Sequence, residues 1–336
     1  MDILRAATLP WLDAARRRLR EAHGAQRLPH SLLVLAAPGL GAAAFADWAA
    51  AFALCDLAED TAEAGRPCGV CASCLLLKAD SHPDLYQVRV KEDKKQVSID
   101  QVRELIEALS LKSYRGGYKV GVIESAEALN ANGANAFLKT LEEPTQNTLL
   151  ILVATPDHRL PATIASRCLR LALRAPQPAD AAAWLAAQVP QPDGGATAFA
   201  TALALTGGAP LAARELLGAD LAGLDVNMRD ALKQLRAGTV DVTLLAERWA
   251  RTDPSLRLIW LENWITRRVR ASLGGARDSQ SAEPARLPAA LLKPKIQGLF
   301  GLLDAAREVR RFASTGMNQQ LALESLLLRG RDVLSK

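Results

Sequence analysis

No apolar run in the 336 residues reaches the length of a membrane-spanning helix. The N-terminus carries a proline and scattered charges where a secretory leader needs an unbroken apolar core. A cytoplasmic location is the expectation. Net charge is low as well: 41 basic against 36 acidic residues leave a formal +5, which does not demand a nucleic-acid partner. The clusters Arg16-Arg17-Arg18-Leu19-Arg20 and Arg267-Arg268-Val269-Arg270 would permit such contact, although solvated helix faces commonly carry runs of this kind. Cysteine is sparse, and five thiols in a reducing compartment argue for metal or free thiols over disulfides. Apolar residues are abundant at 49%, enough for sizeable cores in two or three domains and unlike a disordered chain.

A more specific absence lies between Ser31 and Phe45. The apolar strand Ser31–Leu35 feeds Pro38-Gly39-Leu40-Gly41, and a helix opens at Ala42, which is the strand, loop, helix order of a nucleoside-triphosphate site. In a competent loop the second glycine is followed by Lys, which meets the phosphates, and then by a Ser or Thr hydroxyl for Mg²⁺. Here those places hold Ala42 and Ala43, and two methyl groups neither balance phosphate charge nor ligate a metal. An ordinary βα turn of a parallel sheet would read the same way. A second defect separates the readings. The strand facing such a loop ends in Asp-Glu in a working ATPase, whereas this chain has Gly121-Val122-Ile123-Glu124-Ser125. Glu124 could hold the metal place, but Ser125 cannot act as a general base at neutral pH. Two defects in one chain favour a decayed site.

Periodicity supplies the rest of the frame. A helix is expected near Trp11–His23, with Leu12, Ala15 and Leu19 on one face and the arginines on the other, and an Ala-rich helix over Ala42–Leu54. Strands follow at Leu85–Val90, Lys119–Ile123, Thr148–Ala154 and Cys168–Leu173. Between them Lys91–Lys95 reads as an exposed loop and Ser98 with Gln101 as a capping box opening a helix over Ile99–Leu109. A further helix runs from Asn132 to Glu142 and stops at Pro144. Beyond Pro176 the strand pattern ends. Short Ala/Leu helices run to Leu217, and longer amphipathic ones follow, including Leu256–Leu273 and Leu291–Phe312 around a polar loop at Gly274–Pro284. The fold class is α/β followed by all-α, with domains at about 1–174, 175–218 and 219–336.

Cys68-Gly69-Val70-Cys71-Ala72-Ser73-Cys74 places three thiols at equal short spacing, with Cys55 upstream at the end of a helix. Four thiolates can close a tetrahedral structural zinc site with no open position for catalysis. An iron–sulfur cluster accepts the same spacing, but no Cys-Pro completes the ferredoxin run. Free core thiols are the plainer alternative. Cys168 stands far off in sequence and reads as a small core residue.

Asn135-Ala136-Phe137-Leu138-Lys139-Thr140-Leu141-Glu142-Glu143-Pro144, Ser166-Arg167-Cys168 and the cysteine module of about 55–78 together resemble the delta-prime family of bacterial DNA polymerase III clamp-loader subunits, within the AAA+ superfamily. The resemblance implies an AAA+ domain with a zinc insert, a small helical lid and a C-terminal helical collar. It also implies zinc on Cys55, Cys68, Cys71 and Cys74, although the interval from Cys55 to Cys68 is longer than the family's. An arginine finger at Arg167 would act on a neighbour's ATP. The family's nucleotide-sensing arginine falls in Gly207-Gly208-Ala209-Pro210-Leu211, which has none. Membership of this family would make the chain a stator that binds no ATP. It would assemble with gamma/tau-type motor and delta-type subunits and reach the sliding clamp and primer-template DNA through the complex. The competing readings are an active ATPase with an unusual loop and a zinc-dependent nucleic-acid module. The insert lacks the interleaved aromatic and basic residues that the latter would use.

Overall fold

The computed structural model describes residues 5–57, 65–90, 94, 96–156, 160–190, 195–218, 220–272, 294–312 and 318–335. The expected loop at 91–95 falls almost wholly outside these residues, and the one at 274–284 entirely so. Two compact units divide the chain, Met1–Pro176 and Gln177–Lys336.

In the first unit a 3₁₀ turn at Pro10–Leu12 leads into α1 (Asp13–Gly24), β1 (Ser31–Leu35), α2 (Ala42–Leu54), α3 (Ala72–Lys78) and β2 (Leu85–Val88). Then come α4 (Ile99–Ser110), β3 (Lys119–Ile123), α5 (Ala131–Glu142), β4 (Thr148–Ala154), α6 (Ala162–Ala165) and β5 (Leu169–Ala172). The strands form one parallel sheet in the order β2-β3-β4-β1-β5. Every residue of β3 and β4 is buried, as their unbroken apolar character demands of central strands covered on both faces.

Strand alternation sorts the core. Leu33, Ile123, Leu150 and Leu152 cluster with Val102, Leu105 and Leu109 of α4 and Phe137 and Leu141 of α5. The alternating Leu32, Val34, Val122, Ile151 and Val153 are also buried and face the other way, where α2 packs. Ten of the thirteen α2 residues are buried, including Trp48, so this Ala-rich helix is covered nearly all round. The capping box is present, with Ser98 and Gln101 bonding reciprocally at the start of α4. Lys119 is buried at 4% exposure because its ammonium reaches the carbonyls of Leu109 and Leu111, where α4 ends.

One sequence expectation fails. Arg16 is buried and does not lie on the open face with Arg17 and Arg18, because Asp13 one turn back pairs with its guanidinium. At Gly121 a β-carbon would stand 3.0–3.1 Å from methyl groups of Leu105, Leu109 and Leu150. Gly121→Ala is therefore expected to overpack the α4–sheet contact by about 1–3 kcal/mol. Denaturant unfolding with an unchanged m-value would show it.

The second unit is helical: α7 (Pro178–Gln188), α8 (Gly195–Leu205), α9 (Pro210–Leu216), α10 (Leu221–Ala237), α11 (Val242–Arg251), α12 (Pro254–Ser272), α13 (Pro294–Phe312) and α14 (Gln319–Ser335). Its apolar cluster includes Leu185, Phe199, Met228, Trp249, Trp260, Leu302 and Leu326. Asp220 and Asp241 cap α10 and α11 by accepting from backbone amides. No single helix among the described residues is long and apolar enough to cross a membrane.

Candidate functional site

The loop after β1 has the backbone its glycines promise and none of the side chains a phosphate needs. Gly39 and Gly41 adopt φ of 81° and 84°, a region open to glycine at little cost. Gly41 caps α2 without a side-chain bond, Phe45 N–H donates to its carbonyl at 2.9 Å, and Trp11 Nε1 donates to the carbonyl of Leu40 at 2.9 Å. Ala42 and Ala43 open the helix as bare methyl groups. Glu124 follows β3, and Arg89 follows the neighbouring β2. Their parallel register brings the two strand ends together, so Arg89 Nε meets Glu124 Oε1 at 2.6 Å. The carboxylate that could have held a metal is engaged by a guanidinium. Ser125 precedes a 3₁₀ turn and makes no capping bond. Neither Arg89 nor Asp47 stood out in the sequence, since their roles depend on contacts 35 or more residues away.

Asp47 on α2 belongs to this group. Burial foremost, and then the charge of Glu124, push its carboxyl up to about 6, against the pull of Arg89. The folded state thus holds this proton more tightly than the unfolded chain, whose value is near the ordinary 3.8. The stability gained by protonation is complete below that value and is lost as pH rises to about 6. Asp47→Asn is expected to raise the melting temperature at pH 7.5, with the gain shrinking toward pH 4.5. Parallel melts at the two pH values check it.

The four thiols converge. Cys55 ends α2, Cys68 lies in the following segment, Cys71 caps α3 and Cys74 sits in its first turn. Their sulfurs all lie within 4.8 Å of one another, with Cys55–Cys68, Cys55–Cys71 and Cys68–Cys74 at 3.7, 3.8 and 4.0 Å. These separations exceed any disulfide and match the roughly 3.8 Å edge of a tetrahedron built on metal–sulfur bonds of about 2.3 Å. Backbone amides of Cys71 and Cys74 donate to the sulfurs of Cys68 and Cys71 at 3.4 Å. Burial pushes Cys55 and Cys74 up; at Cys68 burial also raises, but the amides of Val70 and Cys71 and the thiols of Cys71 and Cys55 together bring it down to about 6. Four sulfurs at this spacing can be ionised together only around a cation, so the cluster can hold a metal ion. Cys168 is outside it, buried beside Ser31.

A polar relay joins the cluster to the sheet edge. Asp56, next to Cys55, accepts from Ser73 N–H at 3.0 Å and Ser73 Oγ at 2.7 Å, and Arg115 reaches both Ser73 Oγ and Asp56 Oδ2 at 2.9 and 3.1 Å. Asp84 N–H donates to His82 Nδ1 at 3.1 Å, which leaves Nε2–H to donate to Ser73 Oγ at 3.1 Å. Burial holds His82 below its ordinary value, consistent with that neutral tautomer. Asp84, fully buried, accepts from Ser113 Oγ and from the amides of Tyr114 and Arg115.

Arg167 stands at the far end of β1 from the loop. Its carbonyl accepts from Ser31 Oγ, on the first residue of β1, at 2.8 Å, whereas the loop leaves after Leu35. Four residue steps, about 13 Å of strand, separate the two ends. Its guanidinium pairs with Glu142 Oε1 at 2.6 Å and donates to the Thr163 carbonyl at 2.9 Å, with the side chain 36% exposed. Ser166 closes α6 and donates to Thr163 O at 3.1 Å. In the second unit Leu211 is buried, and Arg214, one turn on, lies over Trp184 at 5.9 Å.

A family model described as "DNA polymerase III, delta subunit" matches residues 12–177. The chain is 36% identical over 255 residues to "DNA polymerase III subunit delta'" of Pseudomonas aeruginosa, covering 76% of this chain and 75% of that one. It is 33% identical over 328 residues to the protein of that name in Escherichia coli, covering 95% and 94%. It also resembles "DNA polymerase III subunit tau" of Escherichia coli, at 32% over 149 residues, 44% of this chain and 22% of that one.

Proposed function

The chain belongs to the delta-prime subunit family of DNA polymerase III, and from that premise we propose that it is the non-hydrolysing stator of an AAA+ clamp loader. It packs beside gamma/tau-type motor and delta-type subunits in the cytoplasm and helps load the sliding clamp onto primer-template DNA. The polymerase activity is that of the complex. The observation that carries this reading is the division of the first unit into two ends. At one, Ala42 and Ala43 replace the phosphate-binding residues and Glu124 is bonded to Arg89. At the other, Arg167 is too distant to serve its own loop and is free of the core. A subunit with an empty chemistry of its own and an arginine at its opposite edge is suited to complete a neighbour's site. The planar guanidinium fork can bind two phosphate oxygens at once.

The same reading divides the chain into an AAA+ domain over 1–174, a lid over 175–218 and a collar over 219–336. Zinc is held by Cys55, Cys68, Cys71 and Cys74, where it supplies a structural clip. Elemental analysis of protein purified without added metal is expected to give one zinc per chain, and iron or near-zero zinc would overturn the assignment.

Calorimetric titration with ATP and Mg²⁺ tests the stator reading directly. The isolated chain is expected to give no saturable heat in the micromolar range, because Ala42 and Ala43 stand where the loop needs its Lys and its hydroxyl. Micromolar affinity would restore the ATPase reading. Ala42→Lys with Ala43→Thr is expected to recover binding without turnover, since Ser125 still offers no base.

A further inference from the structure

A cavity of about 220 Å³ opens in the second unit between α10, α12, α13 and α14. Its floor is apolar: Leu232, Leu299 and Leu334 are all buried and line it together with Trp264. Its rim is cationic, formed by Arg229, Lys233 and Arg236 of α10 and Arg268 of α12. The spacing of the first three, four residues and then three, keeps them on one helix face. Among the described residues no carboxylate lines the cavity, and Asp225 and Asp230 pair with Arg229 and Lys233 from outside it. We infer that this cavity is a docking site for an acidic peptide segment that inserts one bulky apolar side chain between the cations.

Three features choose this occupant. The volume is below the roughly 300–1,000 Å³ of small-molecule sites and is close to what one large side chain needs. An apolar floor rewards a buried anchor, while four rim cations, two of them already paired outside the cavity and none facing an acid among the described lining residues, attract flanking carboxylates and repel basic segments. Single-stranded nucleic acid would want an open aromatic face for base stacking. Trp264 is already engaged, since Trp260 stacks against it from one turn at 6.5 Å and Arg268 lies over it from the next at 5.1 Å. The cavity is distant in sequence from the phosphate loop, the cysteines and Arg167, and the inference stands whether or not the stator reading holds.

The test is fluorescence anisotropy of the full chain with an acetylated, fluorescein-labelled nine-residue peptide of eight glutamates around a central phenylalanine. Saturable binding is expected, weakened at least tenfold when glycine replaces the phenylalanine and at least tenfold by Arg236→Glu with Arg268→Glu. Both arginines are exposed, so the double variant should keep its circular dichroism. The peptide pair needs no variant at all and keeps the test decisive if the double variant misfolds. Equal binding of the glycine peptide would reduce the site to a charged surface and overturn the inference. Absence of binding, or displacement of the peptide by a twenty-residue oligothymidylate at lower concentration, would overturn it too.

Discussion

Arg167→Ala in this chain alone is expected to lower the DNA- and clamp-stimulated ATPase rate of a reconstituted loader only in part, while clamp loading falls at least tenfold. On the proposed stator reading the two readouts separate, because only one of several motor sites would border this chain. If Arg167 is the finger proposed, the loss at the bordering site is roughly 10³ to 10⁵ in turnover. The resting contacts of Arg167 do not stand in the way. Its pair with Glu142 is partly exposed on both sides, at 36% and 50%, and such pairs contribute only about 0–1 kcal/mol. Releasing the guanidinium toward a neighbour's phosphate therefore costs little compared with the several kcal/mol that the proposed finger would return in the transition state. The same magnitude predicts that Arg167→Ala leaves the melting temperature of the isolated chain within a few degrees. Arg167→Lys should fail nearly as badly in loading, since a point charge lacks the planar fork. Undiminished loading by an intact complex would make Arg167 a structural residue.

The backbone of these sites was legible because local chemistry dictates it. The Ala-rich run of α2, the Ser98–Gln101 box and the apolar strands β3 and β4 arise from patterns a few residues long, and the helix and strand bounds agree to within a residue. The convergence of Cys68, Cys71 and Cys74 was readable for the same reason, since their spacing places them on one knuckle. The features that escaped depend on partners far off in sequence or on pairings that periodicity does not reveal. Arg16 reads as one more solvated arginine in a basic run, and its burial rests on its pairing with Asp13. Arg89 is an ordinary residue after a strand until register sets it beside Glu124, and Asp84 looks like a loop acid until its carboxylate gathers a segment 29–31 residues on.

On the proposed zinc reading, that last connection sets the expected result of removing the metal. Cys71→Ser, or chelation of the wild type, is expected to speed amide exchange at least a hundredfold over residues 65–78 and about tenfold over 111–117, leaving β3 and β4 protected. The first effect is large because a structural zinc of this type is worth about 10–16 kcal/mol in small modules, more than α3 and its few apolar contacts supply. The second arises from the relay. Asp56 and Ser73 are held in place by their neighbours Cys55 and Cys74, and they in turn hold Arg115. When the knuckle opens, Arg115 loses both partners, and the segment carrying the exposed Leu111 and Tyr114 keeps its bonds to Asp84 and the Lys119 contact. Asp84 is buried at the β2–β3 edge, where its carbonyl accepts from Val120 N–H, so it stays in place and limits the loss to a loosening. Arg115→Ala with zinc bound should reproduce the change at 111–117 alone. If 111–117 exchanged no faster in either variant, the metal module would be only a local clip, and the relay through Asp56 and Ser73 would carry no coupling.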